Sequence, residues 1–268
     1  MTSSKIKFIA TDMDGTLLDN SKVLSPDFHT LFPRLEQAGI LFAAASGRQY
    51  YSLLETFSAQ QNEMVFIAEN GTLVMYKGEE LYSATIDRDE ITQVIETTRA
   101  IDDAFIVLCG KKSAYIETQD PTACEEIARY YHRCEYVDDL LSVEDEFIKV
   151  AILHFGGTEA LVYPSIHAAF GDSHQVVVSA AIWLDVMNAR ASKGDAIRHL
   201  QETMGFTYEE TMSFGDYFND VEMLEASYHA YAMENAHEKV KAYARFIAPS
   251  NEDKGVYVVL ERLLEQRQ

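Results

Sequence analysis

Hydrophobic positions along this chain fall in short continuous runs separated by stretches of helical period. "IKFIAT" (6–11) is apolar without alternation, the pattern of a strand buried on both faces. "SPDFHTLFPRLEQAG" (25–39) predicts a helix, with Ser25 as N-cap, Pro26 at its first position and Gly39 at its stop. Pro33 lies inside that helix, where proline deletes a hydrogen bond and costs ~3 kcal/mol, so a bend or break is expected there. "ILFAAAS" (40–46) predicts a second strand, "QYYSLLETF" (49–57) a helix and "MVFIAEN" (64–70) a third strand. Strands alternating with helices predict a parallel sheet with right-handed crossovers. "TLVMYKGEELYSA" (72–84) predicts a hairpin turning at Lys77-Gly78.

The texture changes between 85 and 185. "FIVLC", "SAYIET", "FIKVAILHF", "QVVVSA" and "IWLDVM" predict strands, separated by helices over 88–100, 121–132 and 158–169, in a sheet with one wet face. The βα alternation resumes with a helix over 192–205, a strand over 210–215, a helix over 219–226, a strand over 229–233 and a C-terminal helix. The expected fold is therefore α/β. A Rossmann-like parallel-sheet core is formed by 1–84 and 186–268, and an α+β cap domain, 85–185, is inserted into it.

Composition narrows the classes. The 268 residues are 47% hydrophobic, enough for a substantial core. The formal charge is −21, from 43 acidic against 22 basic residues, which disfavours nucleic acid and anionic membrane as partners. Cys109, Cys124 and Cys134 form no CxxC pair, which argues for a reducing compartment and against zinc or a disulfide framework. Asp12 comes too early in "MTSSKIKFIATDMDG" for a signal peptide, and no apolar run reaches the ~18 residues that span a bilayer. A soluble cytoplasmic protein is expected, monomeric or weakly self-associating.

Four pieces of chemistry fall at the predicted strand ends or helix starts of the core. Asp12 and Asp14 follow the first strand, Ser46-Gly47 the second, Asp216 a later one with Asn219 and Asp220 beyond it, and Lys193 opens a helix. Each alone has a bland reading, as turn, cap or solvated charge. Open parallel sheets bind ligands outside the carboxyl ends of their strands, so all four pieces are expected on one rim. Converging carboxylates repel unless a counter-ion joins them, and a hard divalent cation such as Mg²⁺ takes oxygen ligands together with a substrate phosphate. Lys193, Ser46 and backbone N–H groups at the helix entries would then hold the phosphate oxygens. One carboxylate can attack phosphorus, and its neighbour can donate a proton to the leaving alcohol and later take one from water.

In order, "DMDGT" (12–16), "SG" (46–47), "SKG" (192–194) and "GDYFND" (215–220) resemble the four motifs of the haloacid dehalogenase-like superfamily of phosphohydrolases. "ENGTLV" (69–74) and "NDVEML" (219–224) resemble its Cof-type branch, which carries a large α/β cap between the second and third motifs. The resemblance implies Asp12 as nucleophile and metal ligand, and Asp14 as general acid/base with its carbonyl on the metal. It implies Asp216 as a further Mg²⁺ ligand, and Ser46, Gly47, Lys193 and Asn219 as phosphate contacts. Lys193 is grouped with the catalytic residues, Asp220 is expected to orient it or a metal-bound water, and Gly15 and Thr16 to shape the turn. Pro33 departs from the pattern, as do Tyr217 and Phe218, which are bulky for the fourth motif and are expected to pack under the loop or cap.

The implied activity is a Mg²⁺-dependent phosphatase acting on a small phosphorylated metabolite, a sugar phosphate or similar, through an aspartyl-phosphate. A phosphomutase or phosphotransferase of the same superfamily would share every catalytic residue. A non-enzymatic phospho-acceptor switch is the alternative of another class, disfavoured because Asp14 would speed hydrolysis. Dehalogenase chemistry lacks the second aspartate, and a transport ATPase needs membrane helices. The cap is expected to select the substrate. Tyr115, His154 and Trp183 are candidates there, with core packing the expected role of each.

Overall fold

A computed structural model describes residues 6–267. Met1–Lys5, the first residues of the stretch expected to hold no signal peptide, lie outside them. The chain divides into two units: Met1–Gly47, Leu53–Tyr82 and Ser192–Gln268 form the first, and Arg48–Ser52 with Ser83–Ala191 the second.

The first unit is built on an eight-stranded sheet. Its strands are β1 (Phe8–Thr11), β2 (Leu41–Ala45), β3 (Val65–Ala68), β4 (Leu73–Tyr76), β5 (Glu79–Ser83), β12 (Thr211–Gly215), β13 (His229–Met233) and β14 (Phe246–Ala248). Their order is β14-β13-β12-β1-β2-β3-β4-β5. From β14 to β3 all pairs are parallel, and β4 turns antiparallel onto β3. β1 is central, with Phe8 in register with Thr211 on one side and Leu41 on the other, and it is buried on both faces as its unbroken apolar run requires.

The crossovers are α1 (Phe28–Gln37), α2 (Tyr50–Thr56), α7 (Lys193–Met204), α8 (Val221–Glu225), α9 (Glu238–Lys241) and α10 (Gly255–Glu265), with the start of α2 counted in the second unit. α1 begins later than expected. Ser25 and Pro26 form the turn before it, and the cap position falls at Asp27. It ends as predicted: Ile40 N–H reaches the Leu35 carbonyl and Gly39 N–H the Glu36 carbonyl, with Gly39 at φ +70°. The helix runs unbroken through Pro33. Phe28, Leu31, Phe32 and Leu35 are buried along one side of it, with Phe28 packed on Phe42 and Phe57, and that burial outweighs one lost hydrogen bond.

The second unit carries a six-stranded sheet ordered β10-β11-β9-β6-β7-β8, antiparallel except for β7-β8. The strands are β6 (Phe105–Gly110), β7 (Ala114–Ile116), β8 (Cys134–Tyr136), β9 (Phe147–Leu153), β10 (His174–Ala180) and β11 (Trp183–Asn188). β11 completes this sheet and runs past residue 185, so the boundary falls at Ser192, later than the sequence pattern placed it. α3 (Arg88–Arg99) and α6 (Tyr163–Phe170) pack on one face around Val94, Ile152, Ile166 and Leu184. A single helix over 158–169 is not formed. α5 (Thr158–Leu161) stops at Val162, because Pro164 has no N–H to offer the Ala160 carbonyl.

The other face is not wet at its centre. Lys149, opposite Met187, and Asp185, opposite Ala151 on the neighbouring strand, are 3% and 6% exposed and lie 3.9 Å from each other. Tyr131 sits under the Lys149 ammonium, and Trp183 Nε1 donates to Glu126 of α4 (Pro121–Ala128). Tyr115 and His154 are buried too. The Tyr115 hydroxyl donates to Asp145, and the His154 ring is held between the Asp102 carbonyl and Gly156 N–H. All three candidate residues of this unit are engaged in packing contacts. No described helix is long and apolar enough to cross a membrane.

Candidate active site

β12, β1 and β2 are neighbours and parallel, so their carboxyl ends open on one rim of the first unit. Asp12 follows β1, with its N–H on the Phe214 carbonyl at 2.9 Å. Ser46 follows β2, buried, with its N–H on the Ile67 carbonyl. Asp216 follows β12, and Lys193 opens α7, whose cap is the Ser192 hydroxyl accepting from Asp195 N–H.

Lys193 is completely buried. Its Nζ donates to Asp12 Oδ1 at 2.5 Å and to Asp220 Oδ1 at 2.7 Å. Burial works against the ammonium charge, but the two carboxylates outweigh it and hold the lysine protonated. Asp220 spends its other oxygen on the backbone N–H groups of Asp216 and Tyr217, at 3.0 and 3.1 Å. It therefore ties the β12 loop to the lysine. The Thr16 hydroxyl donates to Asp216 Oδ1 at 3.0 Å. Gly15, at φ +84°, leaves Asp216 its room, since a Cβ there would lie 2.5 Å from Asp216 Oδ2.

Oxygens of Asp12, Asp216 and Asp220 lie within 4.8 Å of one another. Burial, then the Asp220 charge, pushes the Asp12 carboxyl well above its ordinary range, with Lys193 only partly opposing them. Burial and Asp220 likewise raise Asp216 to about 6, against the Thr16 hydrogen bond and Lys193. An all-oxygen cluster that favours protons over its own charge suits a hard divalent cation. Both Asp220 oxygens are engaged with donors, which leaves Asp12 and Asp216 as the carboxylates suited to hold it. Asp14, expected to reach the metal through its backbone carbonyl, keeps its carboxylate outside this cluster. Its carboxylate is 39% exposed and lies 3.8 Å from Lys22 Nζ.

Tyr217 and Phe218 do not pack under the loop. They are 57% and 44% exposed, edge-to-face with each other, and Phe218 lies 4.6 Å from the His237 ring. Asn219 reaches a residue that the sequence reading left outside the site: its Nδ2 donates to Asn70 Oδ1 at 3.1 Å. Asn70-Gly71 after a strand is a turn signal that could have flagged this position.

A family model described as haloacid dehalogenase-like hydrolase matches residues 9–260. The chain belongs to that family. It is 35% identical over 262 residues to the 5-amino-6-(5-phospho-D-ribitylamino)uracil phosphatase YbjI of Escherichia coli K12, covering 97% of each chain. Among solved structures that resemble it, a protein of Streptococcus mutans UA159 is 28% identical at a TM-score of 0.86, covering 97% of this chain and 99% of that one. One from Thermotoga maritima is 26% identical at 0.86, covering 96% and 97%. The fold is thus the family's α/β core with an inserted cap, and the chain is a phosphatase of that family.

Proposed function

We propose that this phosphatase hydrolyses a phosphomonoester of a small polyhydroxylated metabolite, with Mg²⁺ at Asp12 and Asp216 and with Asp12 as the nucleophile. The observation that carries this reading is the Lys193 ammonium, buried between Asp12 and Asp220 at the mouth of the central strand. It holds one Asp12 oxygen and so orients the carboxylate toward the site. Bound Mg²⁺ supplies the positive charge that lets a phosphate dianion approach these carboxylates.

In the first step Asp12 attacks phosphorus. The bond from phosphorus to the alcohol oxygen breaks, and Asp14 gives the departing alkoxide its proton. In the second, Asp14 takes a proton from water, the water oxygen attacks phosphorus, and Asp12 is released as carboxylate with phosphate. Asp14 suits proton exchange because its side chain is open to solvent while Asp12 is buried. Ser46, the Gly47 N–H, Lys193 and Asn219 hold the phosphate oxygens, and Thr16 steadies Asp216. The relative's named substrate ends in a phosphorylated ribityl chain, which supports a sugar or sugar-alcohol phosphate here.

The test is phosphate release from a panel of sugar, sugar-alcohol and nucleotide phosphates, including 5-amino-6-(5-phospho-D-ribitylamino)uracil. Each is assayed with Mg²⁺ and with chelator, for wild type and Asp12→Asn. Turnover should require Mg²⁺ and vanish in the variant. Robust release by Asp12→Asn, or undiminished release after chelation, would overturn the scheme.

A further inference from the structure

Three residues in a row, Glu69, Asn70 and Gly71, have left-handed backbone, at φ 49°, 57° and 93°. Only glycine adopts this conformation freely, and asparagine follows it among other residues. A run that includes a glutamate persists only where the surroundings over-determine it. Here the surroundings are three of the loops at the site. The Asn70 N–H donates to the Ser46 carbonyl at 2.9 Å. The Asn70 amide lies over Gly47, so that a Cβ at Gly47 would meet it at 3.1 Å. Gly71 presses on the Ser192 carbonyl just ahead of Lys193, and any Cβ there would overlap it. Finally, Asn70 Oδ1 accepts from Asn219 Nδ2.

We propose that Asn70 is a positioning residue for phosphate binding, an inference that rests on the phosphatase reading above. An amide offers two N–H donors on one side and a carbonyl acceptor on the other. Left to rotate, the exposed Asn219 side chain presents its oxygen to a phosphate as readily as its nitrogen, and the oxygen repels. Asn70 Oδ1 takes one Nδ2 hydrogen and so fixes the orientation, leaving the second hydrogen for a phosphate oxygen. The same residue pins the Ser46–Gly47 loop through its backbone. Asparagine suits both tasks, because it tolerates the left-handed turn and carries a neutral acceptor. An aspartate would accept equally well but would add a charge that opposes the phosphate.

The test is a double-mutant cycle of Asn70→Gly and Asn219→Ala. Glycine keeps the turn and removes only the amide, so folding is not at stake. Readouts are KM, kcat, the dissociation constant of inorganic phosphate by calorimetry with Mg²⁺, and the thermal midpoint. Loss of one hydrogen bond aimed at a charged ligand corresponds to about a tenfold rise in both KM and the phosphate constant for Asn70→Gly. Turnover at saturation should stay within about threefold, the midpoint should not fall, and Asn70→Gly should add no more than about twofold in the Asn219→Ala background. Unchanged KM and phosphate affinity would overturn the proposal, as would the full effect persisting without Asn219, or losses that track a lowered midpoint. If wild type releases no phosphate from any substrate, the phosphatase reading fails separately, and the calorimetric cycle still decides the role of Asn70. A wild type that neither turns over nor binds phosphate overturns both.

Discussion

Lys193 has no exposed surface, and a carboxylate stands on either side of its ammonium. Removing one partner of such a cluster has opposite consequences depending on which is removed. Lys193→Met leaves Asp12 and Asp220 buried with no cation between them, a change that costs about 3–5 kcal/mol. Its midpoint in denaturant should fall, and activity should be lost with it. Asp12→Asn removes a carboxylate that burial and Asp220 already push toward the protonated form, and Asp220 still neutralises the lysine. Its metal-free midpoint should equal or exceed that of wild type although turnover is gone. A large destabilisation of Asp12→Asn would show that the Asp12–Lys193 pair outweighs the repulsion. Asp216 sets a pH dependence. Its folded pKa lies above that of an unfolded aspartate, at about 6, so the metal-free native state holds a proton that the unfolded state has released. The stability that this proton contributes is therefore present in acid and lost as pH rises from the ordinary carboxylate range through about 6. Mg²⁺ competes for the same oxygens, so its affinity should run the other way, weakening about tenfold per pH unit below 6 if one proton is displaced. Calorimetric titration of Mg²⁺ at pH 5, 6 and 7 reads the slope, and a flat profile would separate Asp216 from the metal.

At the scale of elements, α1 offers a direct measure of how far packing overrides propensity. Pro33 is exposed, so Pro33→Ala sacrifices no buried contact and restores an N–H for the His29 carbonyl. Interior proline costs ~3 kcal/mol and its stiffening of the unfolded chain returns up to ~1 kcal/mol, so the variant should be more stable by about 2–3 kcal/mol. A lowered thermal midpoint would mean that α1 is already distorted to suit the proline. The same competition explains what could be read in advance. β1, β2 and β3 are buried on both faces, and that leaves short apolar runs legible in the sequence, whereas β12 is buried although Thr211 and Ser213 interrupt its apolar residues. Asp12 and Ser46 follow such runs and Asp216 follows β12 in the resumed βα alternation, so their place at the carboxyl ends of neighbouring parallel strands was legible without coordinates. The Asn70–Asn219 contact joins residues 149 apart and depends on a left-handed turn, so no local pattern announces it. Lys149 and Asp185 were hidden for a related reason. A polar residue alternating with apolar ones predicts a solvated face, and only the tertiary fold shows that the two are buried side by side.

For the whole molecule, the charge of −21 must be reconciled with an anionic substrate. Near the site the signs cancel: Lys193, Lys22 and a bound Mg²⁺ together balance Asp12, Asp14, Asp216 and Asp220. No local excess of positive charge is then left to steer a phosphate in, and the long-range field is that of the acidic surface. Exposed charges beyond about 10 Å of the mouth are screened at ~0.1 M salt and hardly at all at ~0.01 M. Capture of the substrate should therefore improve with salt, whereas the bound-state chemistry, carried by buried groups, should not respond. At saturating Mg²⁺, kcat/KM is expected to rise several-fold between about 10 and 150 mM monovalent salt, with kcat constant. Stopped-assay kinetics across that range, repeated at fixed low salt with sucrose as an uncharged viscogen, separates screening from viscosity. A kcat/KM that falls with salt would instead mean that the mouth presents a net positive field, with Lys22 and the metal dominating the acids around them.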